Sequence, residues 1–164
     1  MLFRSPFYLL GNWVFRLISA PSVTDRNMVL EVGMRKTLGR FVGAKKKIIF
    51  VIDNPEIDFD PRLCLDRPLR PFWKIQSPCA VPRSQFDLRN KDYRRVVFKV
   101  LQDYPEVVIF DAAAHLCDKD WCQVKIDGEV LYKDTDHLSL AGSRLIAKEL
   151  AKVMKGHEPK ALSR

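Results

Sequence analysis

The sequence predicts an α/β fold in which helices cover both faces of a parallel β-sheet. Residues 48–52 (IIFVI) and 107–111 (VVIFD) are rich in β-branched and aromatic residues, as is typical of strands buried on both faces. Each run follows a segment whose apolar residues recur at helical spacing. Helices that alternate with such strands indicate a parallel sheet. The 164 residues are enough for one globular domain with a substantial core.

The charge is basic overall but does not indicate a nucleic-acid partner. The chain has 28 Lys and Arg against 20 Asp and Glu, so 28 − 20 gives a net charge of +8. Lysines 45–47 lead directly into an apolar run, as strand-flanking charges often do. Because no basic motif with interleaved aromatic residues accompanies them, we expect no nucleic acid as partner.

The first elements are expected to be a strand and a helix. Residues 5–15 are largely apolar but too short to span a bilayer. A buried strand followed by a loop explains them as well as a signal peptide does, so we expect the chain to begin inside a domain. Thr24 and Asp25 can cap a helix that extends to about Gly43. Its apolar face is formed by Leu30, Met34, Leu38, Phe41 and Val42.

The middle of the chain is predicted to be a long loop followed by a second helix. The strand at 48–52 should end at Asp53-Asn54-Pro55, and residues 55–89 hold six of the ten prolines. We therefore expect a non-repetitive loop over this stretch, and loops of such length are usually functional or disordered. Apolar residues at helical spacing then predict a helix from about Tyr93, which Pro105 ends before the strand at 107–111.

The end of the chain predicts a hairpin and a closing helix. Residues 124–132 alternate around Asp127-Gly128, which suits a two-residue turn with positive φ. Apolar residues from Leu138 to Val153 then follow helical spacing. We expect one domain over residues 1–155 and a flexible tail over 156–164.

Four cysteines, Cys64, Cys79, Cys117 and Cys122, permit three disulfide connectivities. The two local pairings would close short loops and indicate an oxidising compartment. Two alternatives remain open at this point. The thiols could bind zinc together with His115, although they lack paired C-x2-C spacing, or all four could be free.

The sequence from Asp134 to His137 is the strongest local indication of chemistry. A histidine can transfer protons near neutral pH, and a carboxylate three residues earlier can accept a hydrogen bond from its Nδ1–H. We expect Asp134 to orient His137 and the side chain of Asp136 to point elsewhere. The structural alternative is a helix start, in which Asp136 or Ser139 is the cap and His137 is a polar loop residue.

Residues 131–142 (LYKDTDHLSLAG) closely resemble the last block of SGNH, or GDSL-like, hydrolases. The likeness is to the extracytoplasmic SGNH domain fused to acyltransferase-family-3 membrane proteins, and it covers about residues 7–154. It includes Asn54-Pro55-Glu56, VVIFD and the order of the cysteines. The resemblance implies a three-layer αβα, flavodoxin-like fold, with His137 as the catalytic base and Asp134 as the carboxylate that holds it.

The chain departs from this family in one essential block. The family's nucleophilic serine lies in a Gly-Asp-Ser turn after the first strand, and these 164 residues contain no such sequence. We therefore expect a fold truncated at its N-terminus, without the first strand and the serine turn. Residues 7–13 (FYLLGNW) resemble the strand that ends in the family's asparagine block, which implies that Asn12 is an oxyanion donor.

The function implied by the resemblance is O-acyl transfer, usually O-acetylation, onto cell-surface polysaccharide such as lipopolysaccharide O-antigen. The implied partners are the polysaccharide acceptor and a membrane acyltransferase domain that delivers the acyl group, at the periplasmic face of the inner membrane. We expect no metal and no cofactor. The alternative hypotheses are an inactive remnant of such an enzyme and a non-catalytic module that binds carbohydrate or a partner through Phe72 and Trp73.

Overall fold

In a computed structural model, the chain is described at residues 7–10, 25–65 and 76–156. It divides into two compact units, Met1–Asp53 with Asp87–Phe110 and Asn54–Phe86 with Asp111–Arg164. A short 3-10 helix covers Pro61–Cys64. The other elements are β1 (Phe7–Leu10), α1 (Arg26–Gly43), β2 (Lys47–Ile52), β3 (Ala80–Pro82), α2 (Arg83–Leu101), β4 (Val108–Asp111), α3 (Ala113–Leu116), β5 (Trp121–Gln123), β6 (Lys125–Ile126), β7 (Glu129–Val130) and α4 (Leu140–Gly156).

The first unit contains a sheet with the strand order β1-β2-β4. Strands β1 and β2 are parallel, in a register that runs from Phe7 opposite Lys47 to Leu10 opposite Phe50. Helices α1 and α2 and this parallel pair confirm the predicted α/β class.

The core of the first unit lies between α1, β2 and α2. Helix α1 begins as predicted, with the Asp25 side chain accepting a hydrogen bond from the Asn27 N–H. Met34 and Leu38 of α1 are buried, as is most of β2. Each Å² of apolar surface buried in this core stabilises the folded unit by about 25 cal/mol. The buried cluster consists of Met34, Leu38, Ile48, Phe50, Ile52, Val97, Val100, Leu101 and Val107.

Two sequence predictions for this region are wrong in detail. The loop predicted over residues 55–89 ends early, because β3 begins at Ala80 and α2 at Arg83. The first turns of α2 bury Phe86 but leave Leu88 75% exposed, so they show no continuous apolar face. Strand β4 is not buried on both faces, because Phe110 is buried whereas Ile109 is 42% exposed.

The second unit is built on two antiparallel strand pairs, β3 with β5 and β6 with β7. The β6–β7 pair is the predicted hairpin. Asp127 and Gly128 form its turn with φ values of 50° and 83°, a conformation that favours Gly and Asp. A buried cluster joins this unit's strands and loops, and it comprises Ile57, Cys64, Val81, Leu116, Val124, Leu131 and Tyr132.

Helix α4 packs unusually close to the chain that precedes it. A Cβ atom added at Gly142 would lie 2.1 Å from the carbonyl oxygen of Leu131 and 3.2 Å from Leu138 Cδ2. Only glycine allows this approach of two backbones. The closing helix begins at Leu140, slightly later than predicted, and Gly156 is its last residue.

Within residues 7–10, 25–65 and 76–156, no helix combines the length and apolarity needed to cross a membrane.

Candidate active site

Asp134 and His137 lie in a narrow turn between β7 and α4. Two backbone hydrogen bonds close its base, from Ser139 N–H to the Leu131 carbonyl and from Lys133 N–H to the His137 carbonyl, each 2.8 Å long. The candidate dyad therefore occupies the tip of a hydrogen-bonded loop that leads directly into a long helix.

Ser139 is the cap of that helix. Its hydroxyl oxygen accepts a hydrogen bond of 3.2 Å from the Gly142 N–H and donates one of 2.7 Å to the Val130 carbonyl. The predicted helix start is thus present, with Ser139 rather than Asp136 as the cap, and it coexists with the dyad. Because both hydrogen-bonding functions of the hydroxyl are used, Ser139 is a structural serine.

Asp134 holds both the backbone and the ring of His137. Its Oδ1 accepts a hydrogen bond of 2.8 Å from the His137 N–H. The same oxygen lies 2.9 Å from His137 Nδ1, which is the length of a charge-assisted hydrogen bond. The spacing of three residues places the carboxylate and the imidazole side by side, as expected from the sequence.

Asp136 contradicts its sequence prediction. Its side chain was expected to point away, but Oδ1 lies 3.1 Å from His137 Nδ1. Asp136 N–H also donates to Asp134 Oδ1 at 3.2 Å. Because the N–H groups of Asp136 and His137 both donate to Asp134 Oδ1, the turn is tight and brings the Asp136 carboxylate back toward the His137 ring. The adjacency of the two residues in sequence does not by itself indicate this position.

The arrangement changes the acid–base behaviour of both members of the dyad. Hydrogen bonds from the backbone N–H of His137, then of Asp136, hold the pKa of Asp134 well below its ordinary value. The pKa of His137 is raised, first by its hydrogen bond to Asp134 and then by the charges of Asp134 and Asp136. Lys133 acts weakly in the opposite direction.

The dyad is accessible to solvent, since the His137 side chain is 72% and that of Asp134 45% exposed. Exposed ion pairs contribute little to stability because water screens them. Their effect here is to orient the ring. With Nδ1 directed at carboxylates, Nε2 is the nitrogen that can take a proton from a hydroxyl, as in a hydrolase base.

The same three side chains are the candidate metal ligands among the described residues. One atom each from Asp134, Asp136 and His137 lies within 4.8 Å of the others. His137 Nδ1 lies 2.9 Å from Asp134 Oδ1 and 3.1 Å from Asp136 Oδ1. Exposed acidic groups are common without a bound ion, so the cluster by itself does not indicate a metal.

The cysteines form the two local pairings. Cys64 is bonded to Cys79, and Cys117 to Cys122, so no thiol remains for the zinc site considered with His115. That histidine lies on the short helix α3. The other residues named from the sequence, Asn12, Phe72 and Trp73, lie outside the described residues.

The fold and the dyad can now be compared with known proteins. A family profile described as "SGNH domain (fused to AT3 domains)" matches residues 4–152. The chain belongs to this SGNH family. This membership confirms the resemblance found in residues 131–142.

A solved structure supports the same fold. The periplasmic domain of a lipopolysaccharide acetyltransferase from Salmonella ser. Paratyphi A superposes with a TM-score of 0.54 at 17% sequence identity. The match covers 92% of this chain and 57% of that structure, so the chain spans little more than half of its length. No curated protein sequence matches the chain significantly.

Proposed function

We propose that this chain carries the Asp–His dyad of an O-acyltransferase that acetylates cell-surface polysaccharide, such as the O-antigen of lipopolysaccharide. The observation that supports it is the 2.9 Å contact between His137 Nδ1 and Asp134 Oδ1. The dyad lies within residues 131–142, which resemble the block that supplies the family's catalytic Asp and His. The family profile that matches the chain describes SGNH domains fused to AT3 domains.

In the first proposed half-reaction, His137 Nε2 takes the proton of a serine hydroxyl. The serine oxygen attacks the carbonyl carbon of the acyl donor, the bond between the acyl group and the donor breaks, and His137 returns the proton to the leaving group. Asp134 holds the imidazole and stabilises the imidazolium that forms between these steps.

In the second half-reaction, a sugar hydroxyl attacks the acyl-serine. His137 takes the proton of that hydroxyl and returns it to the serine oxygen as the ester bond to serine breaks. The acyl group has then moved to the sugar, and the dyad has its starting proton. General acid–base catalysis of this kind contributes about 10²- to 10⁴-fold to a rate.

The nucleophile is the part of the reaction that these residues do not supply in the family's form, because the 164 residues contain no Gly-Asp-Ser sequence. We propose that a serine from such a block acts with this dyad. We also propose that an AT3 membrane acyltransferase domain, in cis or in trans, delivers the acetyl group at the periplasmic face of the inner membrane. The steps need no cofactor, and the oxyanion role of Asn12 remains a prediction.

The test is the O-acetyl content of surface polysaccharide purified from cells that produce the native protein. We expect His137→Ala to lower O-acetylation by at least about 10²-fold. The control is His115→Ala, which removes another exposed histidine and should leave O-acetylation at the level of the unmodified protein. Full O-acetylation in His137→Ala, at an equal protein level, would overturn the proposal.

A further inference from the structure

The chain that follows β2 is fastened to the dyad turn. The side-chain amide of Asn54 donates a hydrogen bond of 3.1 Å to the backbone carbonyl of Asp136. Three residues later, the Ile57 N–H donates one of 2.7 Å to the carbonyl of Thr135. Two consecutive carbonyl groups of the turn are thus held from one segment, 54–57, that lies about 80 residues earlier in the chain.

The same segment is also fixed by contacts with the buried core. The hydroxyl of Tyr132, which is only 3% exposed, donates a hydrogen bond of 2.7 Å to the carbonyl of Pro55. Ile57 is 2% exposed and belongs to the buried cluster. The segment is therefore anchored in the core, and it can act as a rigid support for an exposed turn.

The Asn54 contact is made at the residue next to the base. Asp136 carries the second carboxylate near His137 Nδ1, at 3.1 Å, and its carbonyl group belongs to the peptide that leads into His137. Rotation of this peptide would move the carboxylate and the imidazole together. The Asn54 amide restrains that rotation, and it also donates to the carbonyl of Pro55 at 3.3 Å.

We propose that Asn54 is a positioning residue for the dyad, because its amide fixes the Asp136 peptide and so keeps the His137 imidazole against its two carboxylates. This inference rests on the proposed function for its biological meaning. Its test measures the His137 ring directly and requires no catalytic turnover.

The experiment is an NMR titration of the His137 ring in the chain with its disulfides formed. The charged groups that act on this ring are Asp134, Asp136 and Lys133. In Asn54→Ala we expect the pKa of His137 to fall toward the ordinary histidine value, in the same direction as in Asp134→Asn but by less. The matched control is Asn27→Ala in the first turn of α1, where the pKa of His137 should equal that of the unmodified chain.

An unchanged pKa of His137 in folded Asn54→Ala would overturn the proposal. If that variant does not fold, the proposal is tested by hydrogen exchange in the unmodified chain. The side-chain amide hydrogens of Asn54 should exchange with solvent more slowly than those of Asn27, and equal exchange rates would also overturn it. O-acetylation that persists in His137→Ala would overturn the proposed function. It would not affect the His137 pKa or the Asn54 exchange rates, so the two proposals can fail independently.

Discussion

Replacement of Gly142 by alanine should destabilise the protein although Gly142 lies inside a helix. The new Cβ would lie 2.1 Å from the Leu131 carbonyl oxygen, whereas such atoms essentially never come within 3.0 Å of a neighbour in folded proteins. Leu131 cannot move away freely, because its carbonyl accepts the 2.8 Å hydrogen bond from Ser139 N–H. Helix and turn must therefore separate.

The magnitude follows from two opposing effects. Overpacking of this kind costs about 3 kcal/mol at the upper end of its usual range, and the better helix propensity of alanine returns about 1 kcal/mol. The net loss of about 2 kcal/mol corresponds to a melting temperature lower by about 4–8 °C for a chain of this size.

The assay is thermal unfolding followed by circular dichroism, with the disulfides intact. The matched control is Gly43→Ala at the end of α1, where an added Cβ meets no atom within 4 Å. We expect Gly43→Ala to leave the melting temperature unchanged or slightly higher. Equal melting temperatures for Gly142→Ala and the unmodified chain would refute the close packing of α4 on the dyad turn.

Four further predictions concern the dyad and its frame. As a base, His137 works only when its imidazole is neutral, so O-acetylation should be lost as the pH falls through the pKa of His137. Because that pKa is raised, the loss should occur at a higher pH than for an ordinary histidine. In Asp134→Asn the residual pH–rate profile should shift to lower pH, and an unshifted profile would contradict the pairing. Ser139→Ala removes the cap of α4 and should cost about 1 kcal/mol in the free energy of unfolding, measured by urea titration. Opening the Cys64–Cys79 bond, which joins residues separated by 15 positions, should cost about 3 kcal/mol when Cys64→Ser/Cys79→Ser is compared with the oxidised chain. The 164-residue chain alone should not hydrolyse an activated acetyl ester above background, and clear His137-dependent turnover would place the nucleophile within it.

Local sequence signals predicted the elements whose cause is local. The Asp25 cap, the apolar run of β2 and the Asp127-Gly128 turn depend on neighbouring residues, and the structure contains all three. The beginning of α2 was missed because Leu88 is exposed and interrupts the apolar face. Periodicity cannot reveal a helix turn that packs through a single side chain, which here is Phe86.

The dyad itself could be proposed from the spacing of Asp134 and His137, but its support could not. The contact of Asn54 with the Asp136 carbonyl joins positions 82 residues apart, and no local pattern encodes such a pairing. The Asp136 side chain points toward the His137 ring because of the turn around Asp134 Oδ1, where backbone hydrogen bonds set the side-chain direction. These features require the folded chain.

The most direct test of the central claim is the tautomer of neutral His137, read from the ¹⁵N shifts of its ring at a pH above its pKa. Asp134 Oδ1, at 2.9 Å from Nδ1, should hold the hydrogen on Nδ1 and leave Nε2 able to accept a proton. We predict the Nδ1–H form in the unmodified chain and a shift toward the Nε2–H form in Asp134→Asn. A predominant Nε2–H form in the unmodified chain would contradict the assignment of Asp134 and His137 as an acid–base dyad.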